Sequence, residues 1–104
     1  MVRFNQQNDS LTVYLEGEID HHAANRLRVQ IDTIIKRTDA HRLILDFSNV
    51  SFMDSSGIGM MIGRYKTMSE RNGKMNALGL SPSVERIFRM AGLHLIIGAV
   101  HEEG

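Results

Sequence analysis

The sequence has no cysteine, no tryptophan and only one proline, and it carries no formal net charge. Without Cys the chain cannot form disulfides, thiolate nucleophiles, Fe–S clusters or Cys-based zinc sites. Lys+Arg and Asp+Glu both number 12 and no basic cluster interrupts the chain, so we expect no direct nucleic-acid partner. The longest apolar run, residues 95–100, is too short to cross a bilayer, and the N-terminus lacks a signal-peptide pattern. We therefore expect a cytoplasmic protein that makes no membrane contact.

The N-terminal part of the chain has the pattern of a β-hairpin. Leu11, Val13 and Leu15 alternate with polar residues, which is typical of a half-buried strand. Residues 2–5 can pair with this strand through a polar turn at residues 6–9. The chain is thus expected to begin with a hairpin at one edge of a sheet.

The rest of the chain alternates between apolar runs and helical patterns. Residues 43–45 and 77–80 predict central parallel strands that helices cover on both sides, and residues 95–97 predict the last strand. Helical spacing of apolar residues predicts one helix from Asp20 to about residue 37 and another from Ser81 to Gly92. A βαβαβ order with short connections favours right-handed crossovers and a mainly parallel sheet. The fold class is therefore α/β, in a single domain.

A further helix, predicted over residues 54–68, has an unusual outward face. Its inner stripe is apolar, but the opposite sector holds small or weakly apolar residues where charged residues are expected: Ser56, Gly59, Met60, Gly63 and Thr67. In this sector Met60 is expected to protrude. Each helical Gly costs up to about 1 kcal/mol relative to Ala, so another backbone is expected to approach closely. Either a loop or helix of the same chain covers this sector, or the sector is a docking face for a partner protein.

The start of the same helix contains Asp54, Ser55 and Ser56. Free backbone N–H groups and the positive end of the helix dipole meet there, so a hydroxyl in the first turn can carry a phosphate without disrupting the fold. The alternative is that these residues only cap the helix. Local chemistry alone does not choose between Ser55 and Ser56.

Several short motifs together resemble a known family. In chain order they are GEIDHH at 17–22, SFMDSSGIG at 51–59, IGRYK at 62–66, SP at 81–82, RIF at 86–88 and AGL at 91–93. This ordered set resembles the anti-sigma factor antagonists of the STAS-domain family, and is closest to the sporulation branch. The resemblance implies one STAS domain over residues 1–104: a small, mainly parallel sheet with an N-terminal hairpin, flanked by helices as turns of a β–α superhelix.

The resemblance also implies a function as a phosphoprotein that regulates transcription. In the family, the serine directly after the aspartate is phosphorylated by a partner that is both anti-sigma factor and serine kinase; the matching residue is Ser55. The unphosphorylated form binds the kinase and releases the sigma factor, the phosphorylated form does not, and a serine phosphatase resets the switch. The partner-binding residues implied or suggested are Asp20, Asp54, Ser56, Gly57, Gly59, Met60 and Gly63. The protein is expected not to be an enzyme and to need no cofactor.

The C-terminus departs from the family pattern. Family members usually continue into a further C-terminal helix, whereas this sequence ends with residues 101–104 after the last predicted strand. We expect that this helix is absent or that the chain is truncated.

The main alternative is a small nucleotide-binding or hydrolytic α/β domain. The spacing of Gly57, Gly59 and Gly63 suggests a dinucleotide-binding loop, but it departs from G-x-G-x-x-G and lacks the acidic residue expected about 20 positions later. His21 and His22 are adjacent, so they point in different directions and cannot act as an i, i+4 metal-binding pair. No G-x-S-x-G nucleophile motif occurs. No metal site and no catalytic residue are therefore expected.

Overall fold

The computed structural model of the chain describes residues 1–100, and within them it contains one five-stranded sheet and three α-helices. The elements are β1 (Arg3–Gln7), β2 (Ser10–Ile19), α1 (His21–Lys36), β3 (Arg42–Met53), α2 (Ser55–Glu70), β4 (Lys74–Leu78), α3 (Pro82–Met90), a 3₁₀ turn (Leu93–Leu95) and β5 (Gly98–Val100). The expectation about residues 101–104 and a further C-terminal helix lies outside the described residues.

The chain begins with the expected hairpin. β1 pairs antiparallel with β2, and the pair Gln7 and Ser10 closes the ladder. The turn therefore contains only Asn8 and Asp9, which makes it shorter than predicted. Asn8 has a φ of 55°, in the left-handed region that Asn tolerates better than most residues.

The strand order is β1-β2-β3-β4-β5, and β2 to β5 are all parallel. Each crossover moves one strand in the same direction, so right-handed crossovers place every helix on the same face of the sheet. Burial agrees with this arrangement. In the regularly paired parts of β2, β3 and β4, the buried residues lie on one face: Leu11, Val13, Leu15, Leu43, Leu45, Phe47, Met75 and Ala77. The predicted single α/β domain is confirmed.

The expectation that helices cover residues 43–45 on both faces is wrong. Leu43 and Leu45 are fully buried, but Ile44 points to the opposite face and is only half-buried. Ile44 belongs to the apolar run, but it lies on the uncovered face of the sheet, between Thr12 of β2 and Asn76 of β4.

The last strand also lies later than predicted. Residues 95–97 do not form a strand, because Gly92, with a φ of 76°, ends α3 and the chain then makes a 3₁₀ turn. The Ile97 N–H donates to the Leu93 carbonyl at 2.7 Å, which continues the turn. Leu93 and Ile97 are buried, whereas Leu95 is 78% exposed.

Helices α1 and α3 form as the sequence predicts. The Asp20 carboxylate caps α1 by accepting a hydrogen bond from the Ala23 N–H at 2.9 Å. The Ser81 hydroxyl caps α3 by accepting one from the Val84 N–H at 3.3 Å, with Pro82 in the first turn. The inward residues of both helices are buried: Ala24, Leu27, Ile31, Ile34, Ile35, Val84 and Phe88.

Helix α2 differs from its prediction at Met60. This side chain is only 4% exposed, so the expectation that it protrudes is wrong. The reason is that α1 packs beside α2 and covers the sector that holds Met60 and Arg64. At Gly59 and Gly63, by contrast, an added Cβ would meet no atom within 4 Å. One edge of this sector is thus covered by the same chain, while the two glycines remain open, and the docking-face interpretation stays a prediction.

Two glycines of α2 allow a matched stability test. A Cβ added at Gly57 would fall on Met53 Cγ and lie 2.7 Å from Met53 Sδ, and Met53 is fully buried. Gly57→Ala is expected to lower the free energy of unfolding by about 1–2 kcal/mol, because overpacking outweighs the gain in helix propensity. Gly59→Ala is expected to raise it by up to about 1 kcal/mol, because its Cβ has room. Urea unfolding measures both; equal changes in the two variants would contradict this packing.

Candidate functional site

Two helices begin side by side at one edge of the sheet. β2 and β3 are parallel, and Ile19 pairs with Met53 at their carboxyl ends. Each strand leads through one aspartate into a helix, Asp20 into α1 and Asp54 into α2. The Asp54 N–H donates to the Ile19 carbonyl at 3.3 Å, which joins the two junctions directly. Two positive helix ends and two carboxylates therefore meet at this edge.

Both aspartates cap their helices. Asp54 accepts a hydrogen bond from the Ser56 N–H at 2.8 Å, and the Asp54 carbonyl accepts one from the Gly57 N–H at 3.1 Å. The hydrogen bond from the Ala23 N–H lowers the pKa of Asp20 below its ordinary value. Asp20 is exposed and is therefore an ionised carboxylate at neutral pH.

Ser55 and Ser56 line different depressions of the surface. Ser55 is exposed and lines a groove between α2 and α3, which we call the α2–α3 groove; it has a volume of about 340 Å³. Its lining is Asp54, Ser55, Ile58, Ile87, Met90 and Ala91. Ser56 is half-buried and lines a cleft between α1 and α2 of about 200 Å³. That cleft is lined by His21, Ala24, Asn25, Arg28, Ser56, Gly59 and Met60. The structure thus separates two serines that local chemistry in the sequence could not distinguish.

The predicted partner-binding residues differ in accessibility. Asp20 and Gly59 are exposed, Asp54 and Ser56 are half-buried at the edge, and Gly63 is half-buried. Gly57 and Met60 are buried, and they contact the core: Gly57 lies against Met53 and Ile19, and Met60 belongs to the hydrophobic cluster.

The glycine spacing that suggested a dinucleotide-binding loop does not form a loop. Gly57, Gly59 and Gly63 all lie within α2. A phosphate-binding motif of that kind needs its glycines at the turn between strand and helix. The spacing therefore reflects close packing at Gly57 and open surface at the other two positions.

Carboxylates lie at the strand ends beside Ser55, although Arg28 of α1 lines the neighbouring cleft that holds Ser56. Glu18 is exposed near the end of β2, close in sequence to Asp20. The segments 16–20 and 48–59, which form this edge, contain no Lys or Arg. Sequence reasoning missed Glu18, and it also missed Ile87 and Met90 of the α2–α3 groove. The sequence contains little that marks these residues as functional. Ile87, for example, belongs to an ordinary core-facing stripe of α3, and only the fold places it beside α2.

Two arginines hold α1 against α2. The Arg64 Nε atom lies 2.9 Å from Asp32 Oδ1, close enough for an ion pair, although the two are not aligned as a hydrogen bond. Arg64 is only 6% exposed, and this burial lowers the pKa of its guanidinium, while Asp32 raises it. Arg71 donates to the carbonyls at the end of α1 and beyond it. Its acceptors are the carbonyls of Ile35 at 3.2 Å, Thr38 at 2.9 Å and Ala40 at 3.3 Å.

Within residues 1–100, no group of three or more His, Asp or Glu side chains could hold a metal ion. The helices in this part of the chain are also too short or too polar to cross a membrane.

Comparison with known proteins identifies relatives over almost the whole chain. The model of the STAS domain matches residues 1–103. The anti-sigma F factor antagonist of Paenibacillus polymyxa is 40% identical over 84% of this chain and 74% of that protein. The unphosphorylated anti-sigma factor antagonist SpoIIAA is 32% identical, with a TM-score of 0.83 over 99% of this chain and 90% of the other. The phosphorylated form of the Bacillus cell fate determinant SpoIIAA is 31% identical, with a TM-score of 0.74 over 99% and 94%. Such antagonists are regulatory binding proteins and not enzymes, in agreement with the prediction.

Two substitutions test how the ion pair between Asp32 and Arg64 contributes to stability. Asp32→Ala leaves the buried Arg64 guanidinium without its counter-ion, so we expect the free energy of unfolding to fall by about 1–3 kcal/mol. Arg64→Met removes the charge but keeps an apolar chain of similar length, so the loss should stay below about 1 kcal/mol. Urea unfolding of the two variants measures the difference. If Arg64→Met lowers the free energy of unfolding more than Asp32→Ala does, the attraction between the two charges, and not the cost of an unpaired buried charge, determines the stability.

Proposed function

The chain belongs to the STAS domain family, and we propose that it is an anti-sigma factor antagonist switched by phosphorylation of Ser55. In this proposal the unphosphorylated form binds an anti-sigma factor that is also a serine kinase, and the sigma factor is released. Phosphorylation of Ser55 by that kinase ends the interaction, and a serine phosphatase restores it. The setting is the cytoplasm, and the relatives point to sporulation. The name of the P. polymyxa relative makes the anti-sigma F factor the first partner to test.

One observation carries this proposal: an exposed serine in the first turn of α2, at the edge where two helices begin. The dipole of α2 favours the negative charge of a phosphate at this end. The Ser56 and Gly57 N–H groups already donate to Asp54, so the support comes from the dipole and from the exposure of Ser55. Ser55 can therefore carry a phosphate without loss of the fold. The SpoIIAA relative supports this, since its phosphorylated form also matches the fold of this chain.

Accessibility favours Ser55 over Ser56 as the modified residue. Ser55 is exposed, whereas Ser56 is half-buried and faces α1. The Ser56 N–H is also engaged with the Asp54 carboxylate in the cap of α2. A kinase active site has to surround the accepting hydroxyl, which the position of Ser55 allows.

The phosphate changes a surface that is already acidic. It adds about −1.5 to −2 charges at neutral pH to an edge that holds Glu18, Asp20 and Asp54. This change is local, because the helix end accommodates the group where it stands. We expect inhibition to come from charge and bulk at the contact surface, with little movement of the backbone.

Mapping of the phosphate tests the choice of serine. The chain is incubated with ATP and the anti-sigma F factor of P. polymyxa, and the phosphate is located by mass spectrometry. Wild type and Ser56→Ala are expected to gain one phosphate on Ser55, and Ser55→Ala none. Phosphate on Ser56 in the wild type would contradict the assignment. The P. polymyxa antagonist serves as the positive control.

Binding of the same factor tests the switch. By isothermal titration calorimetry, Ser55→Ala is expected to bind like the unmodified wild type. Ser55→Asp is expected to bind about tenfold more weakly, a partial effect because Asp carries less charge than phosphate. Equal affinities of the Ala and Asp variants would mean that Ser55 only caps α2. If the wild type fails to bind where the P. polymyxa antagonist binds, the proposed function is wrong.

A further inference from the structure

The face of the sheet opposite the three helices, which we call the open face, is not covered by any element of residues 1–100. Strand register arranges its residues in three rows that cross the strands, and all of them are exposed or half-buried. The row at the amino ends of the parallel strands contains Gln7, Ser10, Arg42 and Lys74. The middle row contains Asn5, Thr12, Ile44 and Asn76, and the third row contains Arg3, Tyr14, Asp46 and Leu78. An open sheet face of this kind can pack on a second sheet.

Along β3 the open face changes from a cation to a carboxylate. Arg42, Ile44 and Asp46 follow one another on this face, because alternate residues of a strand share a face. The exposed Arg42 donates to the Asn76 side chain, and Asp46 accepts from the Ser48 N–H at 2.8 Å. Both groups keep capacity for a further partner, because a guanidinium and a carboxylate each form several hydrogen bonds. A surface with a cation at one end and a carboxylate at the other complements its own reverse.

Symmetry determines how a second copy would meet this face. A two-fold axis along the middle row reverses the strands of the second copy, so Arg42 faces Asp46 of the second copy and Asp46 faces its Arg42. The two Ile44 side chains then meet at the axis. A two-fold axis along β3 would instead place Arg42 opposite Arg42 and Asp46 opposite Asp46, which is repulsive. The charge pattern therefore favours one arrangement over the other.

From this arrangement we propose that the open face binds a second copy of the chain, with the strands of the two sheets antiparallel. The remaining rows fit the same arrangement. Lys74 faces Leu78 of the second copy, which the apolar stem of the lysine can cover, and Gln7 faces Arg3. The association does not depend on the proposed function, because it uses neither Ser55 nor the helix starts.

Charge and size make this dimer weak. Arg3 and Lys74 add positive charge, but the two copies of each residue lie more than about 13 Å apart, since the outer rows are separated by four residues. That exceeds the screening length of about 8 Å at physiological ionic strength. The paired strands offer only about 400 Å² per copy, at the low end of protein interfaces. We therefore expect a dissociation constant of about 0.1–1 mM.

The antiparallel arrangement gives the dimer two accessible phosphorylation sites. Reversal of the strands points the carboxyl ends of the two sheets in opposite directions, and Ser55 lies at that end of each copy. Packing through the open face leaves both sites uncovered. If the proposed function holds, one dimer can bind two anti-sigma factors, and this consequence alone rests on it.

Sedimentation equilibrium tests the dimer. The average mass of the wild type is expected to rise from near 11.7 kDa at about 5 µM to at least about 1.5 times that value at about 1 mM. Arg42→Glu places a carboxylate opposite Asp46, so this variant is expected to stay monomeric. Arg26→Glu, an exposed site on α1 with the same change of charge, is the matched control and is expected to associate like the wild type. A monomeric wild type at about 1 mM overturns the proposal and leaves the proposed function standing.

A mixing experiment tests the arrangement of the two copies. Asp46→Lys places an ammonium group opposite Arg42, so it is also expected to be monomeric alone. In an equal mixture of Arg42→Glu and Asp46→Lys, each changed residue faces a group of opposite charge, so the average mass is expected to rise again. Dimers of Arg42→Glu alone would indicate the axis along β3 and overturn the antiparallel arrangement. Circular dichroism checks that each variant is folded.

A substitution at the axis gives an independent test should either charge variant fail to fold. Ile44→Lys brings two ammonium groups together at the centre, and it is expected to abolish the rise in mass. The side chain is half-buried on the uncovered face, where a lysine can extend into solvent. Val29→Lys is the matched control, because Val29 is an apolar residue of α1 that is 55% exposed. Folded Ile44→Lys that associates like the wild type overturns the proposal.

Discussion

The parallel pairing of β2 with β3 determines where everything else lies. Because Ile19 is opposite Met53, the residues that follow both strands meet at one edge, and each is an aspartate that caps a helix. Two helix N-termini are thereby placed side by side. A single helix N-terminus would bind an anion weakly. The two N-termini together with their aspartates make a compact polar site, and one phosphate would change the charge of that site strongly.

The two helices that begin at this edge are joined to each other by side-chain contacts. α1 and α2 are held together by the buried Arg64 beside Asp32 and, farther from the edge, by Arg71, which donates to the carbonyls of Ile35 in α1 and Thr38 just after it. Gly57 lets α2 approach the sheet closely at its first turn. A site built on such a frame can change its charge without changing its shape. That is the physical requirement for a switch that acts locally.

The sequence predicted most of the fold, because caps and apolar spacing are local properties. The hairpin, α1 with Asp20, α3 with Ser81 and the position of Asp54 before α2 all follow from neighbouring residues. The last strand was misplaced for a local reason, the 3₁₀ turn after Gly92, whereas the other two failures depend on contacts between distant segments. Met60 is buried because α1 happens to lie beside it, and Ile44 is half-buried because all helices pack on the other face. The difference between Ser55 and Ser56 arises from α3 and α1, on opposite sides of α2, and no local pattern contains it.

The central claim is that the unmodified chain relieves inhibition of a sigma factor and that a phosphate on Ser55 prevents this. The most direct test is transcription by RNA polymerase with sigma F, inhibited by the anti-sigma F factor of P. polymyxa. Adding the unmodified chain is expected to restore the transcript, and adding the chain phosphorylated on Ser55 is expected to leave transcription inhibited. Restoration by both forms would contradict the switch, and restoration by neither form would contradict the proposed function itself.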